Sequence, residues 1–264
     1  MAAVPEGLAR DAHALALVDL AETGRVLAWH GSRAVGVDEF MADVAGVAAA
    51  LPTARAAINL CEDRYGFLVA FCAVISRGQT NLLPPSRAPQ AVDEALAAYP
   101  GAYTLGETAP APTPRGFVRI GPCGTRDACI GRPTITADHI AAIGFTSGST
   151  GLPKPNPKTW ASFRASTAQN VAALRATLGM AAGHSAHIVA TVPPQHMYGI
   201  ELSILLPLLG PFAVHSGRPL FPADVAAALA EVPEPRVLVT TPVHLRALLR
   251  DPVPLPKLAA ITSA

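Results

Sequence analysis

The sequence predicts an α/β fold made of two consecutive parallel-sheet units, and three observations carry that expectation. Short apolar runs alternate with longer runs of helical period. Glycine or proline punctuates the changes between them. A proline-rich stretch then parts the alternation into two blocks, and strands that alternate with helices form parallel sheets with helices on their faces.

Asp38 to Leu51 reads as a helix, with Phe40, Val44, Val47 and Leu51 spaced three and four apart. Ala56 to Cys61 reads as a short buried strand. Asp63 to Arg77 is a long apolar helix closed by Gly78, which suits a left-handed C-terminal position. A strand over Thr80 to Leu83 stops at Pro84-Pro85. A helix over Ala88 to Ala98 and a strand near Ala102 to Leu105 end the first unit, residues 1–106. The connector, 107–135, holds Pro110, Pro112, Pro114, Pro122 and Pro133 and is expected to have little regular structure. The second unit, 136–264, has expected strands at His139–Thr146, His187–Val192, Pro211–His215, Arg236–Thr240 and Leu258–Thr262. Its expected helices are Lys158–Leu178, Ile200–Leu209, Ala223–Glu231 and Pro242–Arg250. The last strand runs flush into Ala264, so the sequence is expected to be truncated at the C-terminus, as the N-terminal part of a larger domain.

Composition narrows the function classes. The chain has 264 residues, half of them hydrophobic, which is enough to bury a sizeable core. Twenty basic residues against 19 acidic leave a net charge of +1, which supplies no field for nucleic acid or anionic lipid. Cys61, Cys72, Cys123 and Cys129 form no C-x-x-C pair and no metal-ligand spacing, so they read as reduced cytosolic thiols. No secretory pattern marks Met1 to Leu20. The most apolar window, Ile200 to Val214, contains Glu201, Pro207 and Pro211 and is shorter than the ~20 residues of a membrane span. A cytoplasmic protein without membrane insertion or a nucleic-acid partner is expected. His184 and His187 are three apart, but no third ligand is evident, so no metal site is expected on the chain itself.

The chemistry-bearing stretch is Thr146-Ser147-Gly148-Ser149-Thr150-Gly151-Leu152-Pro153-Lys154, directly after an apolar strand. Gly148 and Gly151 let backbone N–H groups turn toward an anion. The hydroxyls of Thr146, Ser147, Ser149 and Thr150 can donate to phosphate oxygens, and Lys154 adds a point charge suited to a polyphosphate. Ligands of open α/β sheets bind at this position, outside the carboxyl ends of the strands. The spacing is not that of the G-x-x-x-x-G-K-[ST] loop. A second segment, Pro193-Pro194-Gln195-His196-Met197-Tyr198-Gly199, offers a titratable residue in a turn before an apolar helix.

The nine-residue loop resembles the T-S-G-[ST]-T-G-x-P-K signature of the adenylate-forming (AMP-binding) enzymes, a superfamily of acyl-CoA and aryl-CoA synthetases, nonribosomal peptide adenylation domains and luciferases. Arg77 to Pro84 is similar to the family's helix-end glycine, strand and proline, and Pro193 to Gly199 is similar to its P-x-x-H-x-x-G segment. The resemblance implies that Thr146, Ser147, Gly148, Ser149, Thr150, Gly151 and Lys154 contact the triphosphate of Mg2+-bound ATP. It implies that His196 sits beside the acid's carboxylate and the α-phosphate, with Met197, Tyr198 and Gly199 on the substrate side, and that Lys154 and His196 serve catalysis. The implied reaction joins a carboxylic acid to AMP with release of pyrophosphate. The acyl group then passes to the thiol of coenzyme A or of a phosphopantetheine on an acyl carrier protein. Asn81 to Arg87 and the His196 segment favour an aryl or fatty acid. An amino-acid adenylation domain and a catalytically incomplete, nucleotide-binding fragment remain as alternatives.

Two departures stand out. After Lys154 the family continues with glycine and valine, whereas this chain reads Pro155-Asn156-Pro157-Lys158. The family's later Y-G-x-T-E segment, ribose-binding aspartate and distal lysine do not occur in the sequence.

Overall fold

The computed structural model describes residues 14–19, 24–121, 133–147 and 153–264. In chain order the first elements are β1 (Ala14–Ala16), β2 (Val26–His30), β3 (Arg33–Gly36), α1 (Val37–Ala50), β4 (Ala56–Asn59) and α2 (Arg64–Ser76). Next come β5 (Thr80–Leu83), α3 (Pro89–Ala98), β6 (Tyr103–Gly106), β7 (Phe117–Arg119) and β8 (Thr134–Thr136). They are followed by β9 (Ile140–Ser147), β10 (Pro153–Thr159), α4 (Trp160–Leu178), β11 (Ala186–Ala190) and α5 (Met197–Ile200). A π-helical turn (Glu201–Leu205) and α6 (Leu206–Leu209) continue α5. The chain then forms β12 (Phe212–His215), α7 (Pro222–Ala230), β13 (Arg236–Thr240), α8 (Pro242–Arg250) and β14 (Ala260–Ser263).

Two six-stranded sheets result, with strand orders β10-β9-β5-β4-β6-β7 and β14-β13-β11-β12-β2-β3. Each is parallel except for one antiparallel edge strand, β10 in the first and β3 in the second. The parallel strands β4, β6, β11 and β12 are wholly buried, as strands covered on both faces must be. β1 pairs with β8 in a separate two-stranded ribbon.

Helix α2 explains how the sheets share a core. Its sequence is apolar all round, so it has no face to give to water. It contacts β4, β5 and β6 of the first sheet and β12 of the second. Asp63 caps it by accepting from the Gly66 N–H at 2.8 Å. Gly78, at φ 68°, ends it in the left-handed conformation expected from the sequence. Two buried asparagines fasten it to the first sheet. Asn59 donates to the Phe67 carbonyl at 2.9 Å, and Asn81 donates to the Phe71 and Ala141 carbonyls at 3.2 Å each.

The division between sheets does not follow the 107–135 connector. β9 and β10 come after it yet join β5, while β2 and β3 come before it yet join β12. The connector itself contributes β7, parallel to β6, and the first residues of β8. Parallel strands need crossovers, so chain order and sheet order are free to part. The β2–β3 hairpin, turning at Gly31 with φ 57°, was also not expected from apolar periodicity. β10 replaces the expected exit of the loop and the first two residues, Lys158 and Thr159, of an expected helix. Its prolines at 153, 155 and 157 recur with period two, which leaves Lys154, Asn156 and Lys158 to donate to β9, and an edge strand tolerates that pattern. α4 therefore starts at Trp160, where the Thr159 hydroxyl accepts from the Ser162 N–H at 3.1 Å.

Candidate functional site

The Ser/Gly loop is flanked by an antiparallel pair of strands. β9 delivers Thr146 and Ser147, and β10 begins by pairing Pro153 with Ser147 and Lys154 with Thr146. Lys154 is exposed. Gly148, Ser149, Thr150 and Gly151 lie outside the described residues. The pairing closes the loop at a fixed width, with a hydroxyl residue and the ammonium-bearing residue directly opposite each other at its mouth. That donor set suits a polyphosphate: hydroxyls, glycine amides and one cation, with no carboxylate among residues 144–154.

The His196 segment meets this strand. A Cβ on Gly144 would stand 3.8 Å from the Met197 Cε, an ordinary van der Waals contact. Met197 thus packs against β9 three residues before Ser147, and two motifs far apart in sequence are brought together. His196 is the N-terminal flanking residue of α5 and makes no side-chain capping bond. Partial burial, and then the Arg218 cation, hold its pKa below the usual value. A neutral imidazole, able to accept or donate one hydrogen bond, is therefore favoured near neutrality.

Tyr198 and Gly199 have structural tasks that the sequence did not reveal. The Tyr198 hydroxyl pairs with the Thr262 hydroxyl at 2.6 Å, tying α5 to β14. Burial raises the phenol pKa, and the bond to Thr262 partly opposes that shift. Gly199 is buried, and a Cβ there would lie 2.0 Å from the Pro193 carbonyl oxygen, so only glycine lets the helix start approach the turn.

Sequence reasoning missed three residues around this turn. Arg64, fully buried at the start of α2, donates from Nη2 to the Ala190 and Val192 carbonyls at 2.8 Å each and from Nη1 to the Ser203 hydroxyl at 2.6 Å. Burial, and then Arg218, lower its pKa to about 9, with Asp63 opposing. Ser203 passes the bond on to the Gly199 carbonyl at 2.6 Å. Glu201, on the π-helical turn, accepts from Ser166 at 2.9 Å and Asn170 at 3.3 Å. Its pKa is raised by burial against the opposing effects of Ser166 and Lys158. The only sequence hint was a charged residue heading an otherwise apolar helix.

The two spaced histidines divide their work differently from a metal pair. His187 accepts from the Trp29 indole at 3.0 Å, and burial together with Arg236 pushes its pKa down to about 4. His184 is exposed in a turn. Among the described residues no group of three or more His, Cys, Asp and Glu is placed to hold a metal, and no helix is long and apolar enough to cross a membrane.

This pairing of largely parallel sheets matches the N-terminal domain of adenylate-forming enzymes. The o-succinylbenzoate-CoA synthetase of Bacillus subtilis, solved with its acyl-adenylate intermediate, superposes with a TM-score of 0.69 at 15% identity, over 91% of this chain and 65% of that one. An amide bond synthetase from Marinactinospora thermotolerans gives 0.64 at 18% identity, over 91% of this chain and 52% of its own. The model of the AMP-binding enzyme family matches residues 88–262, from α3 to β14, and the chain belongs to that family. Among curated relatives, the 4-coumarate–CoA ligase of Rhodobacter capsulatus is 32% identical over 113 residues, which cover 43% of this chain and 27% of that ligase. The matched stretch thus spans about a quarter of that relative's length.

Proposed function

We propose that the chain carries the nucleotide- and acid-gripping part of an ATP-dependent carboxylic acid ligase. In this reading the hairpin mouth and loop, from Thr146 to Lys154, hold the β- and γ-phosphates of Mg2+-bound ATP. The substrate carboxylate attacks the α-phosphorus, forming an acyl-adenylate and releasing pyrophosphate. The chain supplies position and charge and no covalent nucleophile, so Lys154 acts by steadying phosphate charge and neutral His196 by orienting the carboxylate. A thiol of coenzyme A or of a carrier-protein phosphopantetheine then takes the acyl group and releases AMP. An acyl or aryl acid is favoured over a free amino acid, because no carboxylate stands beside His196 and Met197 in sequence to hold an ammonium group. The 4-coumarate–CoA ligase likeness supports the same direction. A cytoplasmic setting fits these substrates.

One observation supports the reading best: the contact of Met197 with the Gly144 position, which brings the His196 turn against β9, the strand before the Ser/Gly loop. The test is ATP–pyrophosphate exchange by the complete gene product over a panel of benzoate, 4-coumarate, octanoate and free amino acids. Exchange with an aryl or fatty acid is expected. Exchange with amino acids alone would overturn the substrate class, and no exchange with any acid would overturn the reaction for this chain.

A further inference from the structure

Helix α2 opens on a cation that the helix does not need. Asp63 already caps it, yet Arg64 turns inward and is fully buried. Burying a guanidinium is costly, and apolar residues of similar volume commonly replace buried ion sites without loss of stability. Stability alone is therefore a poor reason for Arg64.

Its hydrogen bonds are concentrated on one short stretch. The two carbonyls it binds, Ala190 and Val192, bracket Thr191 at the carboxyl end of β11. Through Ser203 it reaches the Gly199 carbonyl. One planar fork thus holds both ends of the turn that carries His196, a geometry an ammonium cannot reproduce. The Arg64 backbone N–H donates to the Ser216 carbonyl after β12 of the second sheet at 2.8 Å, while the residues just before it are tied to the first sheet. Glu107, directly after β6, accepts from the Glu62 and Asp63 N–H groups at 3.0 Å each, and Arg87 donates to the Leu60 carbonyl. Those contacts clamp the loop after β4, from which Arg64 departs.

We propose that Arg64 is a positioning residue that sets the His196 turn of the second sheet against the first sheet, whose hairpin carries the phosphate loop. Acid and triphosphate are then held in register by a buried bond set that touches neither. This inference rests on the acid-activation reading above.

The test uses Arg64→Lys and Ser203→Ala in the full chain, with two readouts. Hydrogen exchange of residues 191–203 is expected to quicken about tenfold in Arg64→Lys, with β4, β5 and β6 unchanged, and less in Ser203→Ala. In ATP–pyrophosphate exchange with whichever of benzoate, 4-coumarate or octanoate the wild type accepts, the acid KM is expected to rise about tenfold while the ATP KM holds. Uniform loosening of both sheets, or equal rises in both KM values, would mean a merely structural arginine and overturn the proposal. Should Arg64→Lys fail to fold, Ser203→Ala carries the same readouts. A wild type with no acid-dependent exchange defeats the functional reading instead, and the hydrogen-exchange pattern still decides whether Arg64 holds the turn.

Discussion

The hairpin that carries the Ser/Gly loop and the turn that carries His196 are built in opposite ways. The hairpin lies at the edge of the first sheet, with prolines on alternate positions of its outer strand and an exposed lysine at its mouth. The turn is anchored from every side: Arg64 and Ser203 hold its carbonyls, Gly199 is pressed onto Pro193, and Tyr198 is tied to Thr262. The difference teaches where function and stability can be separated. Substitutions in the hairpin should change ligand binding at little cost to the fold, whereas substitutions in the turn should damage the fold first.

Gly199→Ala gives the sharpest break. Its methyl group would stand 2.0 Å from the Pro193 oxygen, a backbone atom that cannot swing away. A destabilisation of about 3 kcal/mol is expected from such overpacking, read as a lower urea midpoint. A wild-type midpoint would mean that the turn yields easily, and the contrast with the hairpin would be lost.

Acid should weaken the second sheet next. His187 must be neutral to accept from Trp29, and its pKa near 4 lies below the ordinary value of 6.5. The unfolded chain therefore binds the proton first. The stabilisation is complete above about pH 6.5 and is lost as pH falls toward 4, a change of about 3 kcal/mol in full that partial solvent screening reduces to about 2 kcal/mol. His187→Asn should flatten that part of the stability–pH curve. An unchanged slope in the variant would assign the acid sensitivity to other groups.

Tyr198→Phe removes one hydroxyl pair and should cost about 1 kcal/mol, measured by thermal unfolding. Lys154→Ala should cost less than about 0.5 kcal/mol, because the side chain is exposed. A larger loss from Lys154→Ala than from Tyr198→Phe would reverse the comparison.

Legibility in the sequence followed the same divide. The helices and buried parallel strands were readable because apolar period and glycine stops report local structure directly, as at Asp63, Gly78 and the Val237–Val239 strand. Sheet membership was not, since β9 and β2 choose partners across the connector through contacts that no local pattern records. β10 was hidden by its prolines, which argue against a strand unless it is an edge. In the site, chemistry could be read where residue types are unusual in combination, as from Thr146 to Lys154 and at His196. The tasks of Arg64, Ser203, Gly199 and Tyr198 arise only when α2, β11, α5 and β14 converge, and single residue types carry no sign of that.

The central claim is that the hairpin grips the triphosphate while the turn serves the acid. Titration calorimetry of MgATP into wild type, Lys154→Ala and His196→Ala tests it most directly. The account predicts that Lys154→Ala weakens MgATP about tenfold or more with its fold intact, while His196→Ala binds as wild type does. Equal MgATP affinity in wild type and Lys154→Ala, or a loss confined to His196→Ala, would contradict it.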